Sequence, residues 1–141
     1  MSDRGEQGSI AVEFAILVPA FVLLIAVAAV VGRQTVAQTA IEGAAHDAAR
    51  AASISRTAAA AQARGADAAR SVLDEQGLHC DPVTITVDTS QFGRPVGQAA
   101  AVTATVSCSV AFSDIAVPGM PGNRTISATF TSPLDIYRSR S

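Results

Sequence analysis

Nineteen consecutive residues, Phe14 to Gly32, carry no charge and are mostly Ala, Val, Leu and Ile. As a helix rising ~1.5 Å per residue, this run is about long enough for a ~30 Å hydrocarbon core. Arg33 closes it, and Glu13 stands at its head. A carboxylate at mid-membrane costs about 3 kcal/mol even on lenient insertion scales. Glu13 therefore needs a reason: it snorkels to the headgroups and marks the boundary, or it is paired. Pro19 lies inside the run, where membrane helices tolerate the lost hydrogen bond, so a kink is expected in place of a break.

The residues ahead of Glu13 sharpen the reading. Gly8 is followed by Ser9, Ile10, Ala11 and Val12, then by Glu13 and Phe14. This resembles the processing site of type IV pilin-like proteins, which a membrane aspartyl prepilin peptidase cuts after the glycine. The resemblance implies a leader of residues 1–8, a mature N-terminus at Ser9, and Glu13 as the fifth mature residue, paired with the N-terminal amine of a neighbouring subunit. The run Ser9–Ala20 is similar to the start of TadE-like pseudopilins of the tight-adherence (Flp, type IVb) pilus system. The alanine-rich stretch Ala40–Ala52 resembles the segment that follows there. Together these cover about the first third of the chain. By that resemblance Gly8 and Ser9 are the cleavage residues, and Glu13 and Phe14 serve assembly. The partners implied are the lipid bilayer, the prepilin peptidase, other pilin or pseudopilin subunits and membrane assembly proteins.

Charge alone sets the orientation poorly, since Arg4 and Arg33 flank the run on opposite sides. The expectation of a single-pass bacterial membrane protein, N-terminus cytoplasmic and C-terminal domain extracytoplasmic, leans on the resemblance. An ordinary signal peptide ending near Ala26-Val27-Ala28 competes, but the apolar run is too long and the segment before it is net acidic.

Beyond Arg33 the period stays helical while hydropathy falls. Ala37, Ile41, Ala44, Ala45, Ala48 and Ala52 share one face, with Gln38, Glu42, Asp47 and Arg50 opposite. Ser53-Ile54-Ser55-Arg56 weakens the pattern, leaving residues 34–77 as one bent helix or two. A segment from about Ala58 to Gln76 has Thr57 as a candidate N-cap, Gly77 as a stop, and Ala58, Ala61, Gly65, Ala68 and Val72 as its stripe.

After Gly77 the period becomes two. Val83, Ile85 and Val87; Val102, Ala104, Val106, Cys108, Val110 and Phe112; and Ile126, Ala128 and Phe130 alternate with mostly Thr and Ser. Three such runs predict a half-buried antiparallel meander over residues 78–132, its inner face covered by the Ala-rich helix. Gly93-Arg94-Pro95 and Pro118–Asn123 supply the connections. Matching apolar faces pairs Val83 with Val106 and Val87 with Val102, and then Val110 with Ile126 and Val106 with Phe130. Cys80 then lies one residue out of step with Cys108, and an extracytoplasmic site favours a disulfide between them. Two buried thiols are the alternative. Residues 133–141 read as a polar tail, disordered or a loose strand extension. The expected fold is α+β and pilin-like: a long N-terminal transmembrane helix over residues 9–33, a helical region over 34–77, and a small three-stranded sheet.

Net charge is −2, and all ten basic residues are Arg. Loss of residues 1–8 leaves nine Arg against ten acidic residues, so no basic excess points to nucleic acid. No phosphate loop, dinucleotide glycine pattern or metal spacing occurs, and His79-Cys80 lacks further ligands for zinc. The chain is thus expected to have no catalytic residues, metal, cofactor or small-molecule substrate. Two functions compete: a minor pseudopilin-like component of pilus or secretion-filament assembly, and an uncleaved membrane-anchored binding module.

Overall fold

The computed structural model describes residues 6–111 and 122–137. Its elements are helix α1 (Glu6–Ser53), helix α2 (Ala58–Glu75), strand β1 (Val83–Asp88), the short 3-10 helix η1 (Ser90–Gly93), and strands β2 (Ala101–Ala111) and β3 (Asn123–Pro133). The chain divides into two units, one ending at Val36 and one beginning at Ala37. The expected α+β class, with a long apolar helix, a second helix and a three-stranded antiparallel sheet, is what the molecule shows.

In the first unit, α1 runs unbroken through Pro19 and past Arg33. Twelve large apolar side chains between Val12 and Val31 are 52–69% exposed. The helix is long and apolar enough to cross a membrane.

In the second unit α1 continues as a packing helix. Ala37, Ala40, Ile41, Ala44, Ala45, Ala48, Ala49 and Ala52 are buried, which is the stripe expected from spacing with two alanines added. The helix then stops because serine hydroxyls take its last carbonyls: Ser53 Oγ donates to Arg50 O at 2.8 Å, and Ser55 Oγ to Ala51 O at 3.1 Å. The open question of one helix or two is thereby answered as two. Thr57 caps α2, its Oγ1 accepting from Ala60 N at 3.1 Å. At the far end Gly77 adopts φ +63°, a conformation that favours glycine. Leu78 N donates to Leu73 O and Gly77 N to Asp74 O, the paired bonds of a Schellman stop. The buried line of α2 is Ala61, Gly65, Ala69 and Leu73, turned slightly from the expected stripe, with Ala58, Ala68 and Val72 only partly buried.

The sheet has the order β1-β2-β3, both pairs antiparallel. Its register differs from expectation by two residues in both hairpins. Val83 faces Cys108 and Val87 faces Ala104, in place of Val106 and Val102. Cys108 faces Ile126 and Val106 faces Ala128, in place of Ala128 and Phe130. A two-residue slip keeps every side chain on its face, so hydrophobic alternation is blind to it. The first connection accounts for its own slip. Phe92 of η1 enters the core, and Gln91 Oε1 accepts from Ala101 N at 2.9 Å, so the start of β2 is held by the loop and not by β1.

Val102, Ala104, Val106 and Cys108 are fully buried, with Val87 and Ile126 beside them, under the Ala faces of α1 and α2. On the outer face Thr103 pairs with Thr131 and Thr105 with Thr129, each at 3.0 Å between hydroxyls. The residues after Pro133 depart from the expected loose tail. Leu134 is buried and donates its N–H to Ala100 O at 2.8 Å, and Ile136 O accepts from Gly97 N at 2.9 Å. The expected turn Pro118–Asn123 and the inward Phe112 fall largely or wholly outside the described residues.

Candidate functional site

The candidate site starts at the beginning of α1. Gly8 and Ser9 lie in the first turn of the described part of α1. Glu13 follows one turn later, exposed, and is the single charge from Val12 to Gly32. Helical spacing puts Glu13 at the head of the face that carries Leu17, Ala20 and Leu24. Phe14, Leu17, Val18, Phe21 and Leu24 line a shallow groove with almost no polar surface. Phe14 is 62% exposed.

The chemistry open to this segment is association, in lipid or against another apolar helix. In water, so long a band of exposed Val, Leu, Ile and Phe is an interaction surface in search of cover. With so little of its apolar window buried, this is not the core helix of a soluble domain.

The cysteines form a separate candidate feature, within the second unit. Cys80 and Cys108 are joined by a disulfide, with Cα atoms 5.1 Å apart. Strand pairing alone does not bring them together, since the observed register takes Cys80 past Cys108. The chain leaves the ladder before Val83: Asp81 N donates to Ser109 O at 3.0 Å, and Ser109 N to Pro82 O at 3.1 Å. Cys80 thus turns back over the fully buried Cys108. The bridge ties the α2–β1 link to the central strand, beside an open depression whose lining includes Arg70, Asp74, His79 and Asp81.

His46 sits half exposed on α1, as expected of a helix surface residue. Its Nδ1 lies 3.1 Å from Asp47 Oδ1, and its ring stands edge-on to Phe130 with centroids 4.5 Å apart. Sequence reasoning misses this contact. Alternation makes Phe130 an inward core residue, whereas it lies at the open side of the sheet and is 39% exposed. Its place on the last strand is the available signal. Among the described residues no group of three or more His, Cys, Asp or Glu is placed to hold a metal ion.

Comparison with curated proteins and with solved structures gave no match. Residues 8–50 match the family model described as TadE-like protein. That stretch holds Gly8, Glu13, the whole apolar run and most of the buried face of α1. Over this N-terminal segment, about a third of its length, the chain is similar to TadE-like proteins.

Proposed function

We propose that this chain is a minor pseudopilin-like membrane protein, processed after Gly8, that takes part in assembly of a tight-adherence type IV pilus or a related secretion filament. The observation that carries the reading is the exposed apolar half of α1 headed by Glu13, inside the segment that matches the TadE-like family. After cleavage, Ser9 offers a free amine near the membrane boundary. Glu13 of a neighbouring chain is its natural counter-charge, since two charges costly alone in lipid become tolerable as a pair. The disulfide fits a domain held outside the cytoplasm, because thiols are kept reduced within it. On this reading the N-terminus is cytoplasmic, the span is single, and the partners are the bilayer, a prepilin peptidase, other pilin or pseudopilin subunits and assembly proteins.

The N-terminus of the mature protein tests it. Ser9 is expected, and Gly8→Val leaves the precursor uncut. Met1 or Ser2 at the mature end replaces the proposal with an uncleaved, membrane-anchored binding module. A residue near Ala29 indicates ordinary signal peptidase. Separately, Glu13→Gln is expected to insert and be cleaved yet to reduce filament yield by about tenfold or more, the loss of a charge-assisted contact. Normal filament at matched protein level assigns Glu13 to boundary marking alone.

A further inference from the structure

Among the described residues the sheet ends in two unpaired edges, and its own hydrogen bonds fix what each presents. Leu134 N donates to Ala100 O, and the β2–β3 register carries that bonded pairing to every second position. Residues 124, 126, 128, 130 and 132 therefore bond β2, while Thr125, Ser127, Thr129 and Thr131 turn their N–H and C=O groups outward. Ser109 N on Pro82 O fixes the other side in the same way, leaving Val83, Ile85 and Val87 outward on β1. Both edges offer the same even spacing of donors and acceptors, which an extended backbone satisfies. Protection is thin: β3 carries one charge, Arg124, near its start, and Pro133 at its end.

The helices above the two edges are complementary in charge. On the β3 side, Gln38, Glu42 and His46 of α1 border an open cleft of about 610 Å³ floored by Ser127–Phe130. Glu42 accepts from Gln38 Nε2 at 2.7 Å, and among the described residues no cation lies within ion-pair reach of it. On the β1 side, α2 packs Gly65 against Val87. Arg70 lies roughly 140° round α2 from Gly65, which meets Ala48 of α1, and it lines an open depression together with Val83 of β1. Arg70 is well exposed, with Asp67 as its partner at 3.3 Å.

We propose that the β3 edge of one copy receives the β1 edge of a second copy, head to tail, with Arg70 of the incoming α2 reaching Glu42. Strands β1 and β3 both run antiparallel to β2, so the new seam is a parallel ladder and every copy keeps one orientation. That is the arrangement chains anchored in a single membrane satisfy. A β3–β3 pairing about a two-fold axis reverses one sheet against the other. The head-to-tail contact leaves a free edge at each end and grows as an open series. The proposal uses the membrane reading only for the shared orientation, and it holds whether or not the chain is cut after Gly8.

Sedimentation of the full chain in a fixed excess of detergent micelles, over a concentration series, tests it. Wild type is expected to form dimers, trimers and longer species. Thr129→Pro removes an outward N–H that bonds nothing in β2, together with the exposed hydroxyl pair to Thr105, so it is expected to lower the melting temperature by only a few degrees and weaken association by about tenfold or more. Glu42→Arg and Arg70→Glu are each expected to weaken association by about tenfold, and an equimolar mixture of the two restores it, because every seam is then again a charge pair. The mixture keeps the test decisive should Thr129→Pro fold poorly. A series that stops at dimers, association indifferent to both charge reversals, or a monomer throughout overturns the proposal.

Discussion

At the scale of single residues, Gly65 shows how closely the layers approach. A Cβ there stands 2.9 Å from Val87 Cγ2 and 3.1 Å from the backbone oxygen of Ala48, so a methyl meets a side chain on one side and an immovable carbonyl on the other. We expect Gly65→Ala to destabilise the domain by about 1–3 kcal/mol despite alanine's better helix propensity, read as a lower urea midpoint with unchanged m-value. Periodicity puts Gly65 on the buried stripe, but nothing in the one-dimensional pattern tells a glycine that is required from one that is tolerated. Asp88 behaves differently. Ser90 N–H donates to its Oδ1 at 2.9 Å, and the Ser90 backbone and hydroxyl hold the carboxyl below its ordinary value. A depressed folded pKa means that the contribution is fully present above the unfolded value of ~3.9 and fades as pH falls through the folded one. Asp88→Ala should therefore lower the melting temperature slightly at pH 7, with the gap to wild type closing in melts acidic enough to protonate the depressed carboxyl.

At the scale of elements, the two-residue slip in register and the disulfide belong together. Alternation tells which residues face inward, and Val102, Ala104, Val106 and Cys108 do so. It is silent on how far each strand slides along the next, because any even shift satisfies it. What decides the slide is the loop chemistry of Gln91 and Phe92 and the turn-back at Cys80, neither of which has a periodic signature. The pairing of the two cysteines was legible for a partly mistaken reason: an off-register ladder brings them close on paper, and a chain that leaves the ladder brings them together in space. Replacing both with serine should cost about 3 kcal/mol for a separation of 28 residues. In that double variant Cys108→Ser also buries a hydroxyl, which adds to the loss, so Cys80→Ser alone is the cleaner measure. Alkylation before and after reduction checks the native bond. Free labelling without reduction, in correctly localised protein, removes the bridge and with it the strongest support for an outward-facing domain.

At the scale of the whole molecule, one helix serves two environments. Between Val12 and Val31 α1 displays Val, Leu, Ile and Phe; from Ala37 onward the face it buries is alanine, with Ile41 the one larger side chain. The apolar run, Glu13 and the Ala stripe were all legible, because length, charge and helical period are written residue by residue. Where the exposed apolar half gives way to a packing helix was not legible as a break, and α1 has none at Arg33. The mechanical consequence lies in that change of side-chain size. A load applied along α1 is passed to the rest of the domain through methyl groups, which interlock weakly with their neighbours and resist sliding less than branched side chains do. The disulfide fastens the α2–β1 link to β2 and does not clamp α1. Pulled from its N-terminus, the domain should yield by shearing α1 off an intact sheet. In a single-molecule trap, that first rupture is expected at the same force with the disulfide oxidised or reduced, and the later opening of the sheet at a lower force once it is reduced.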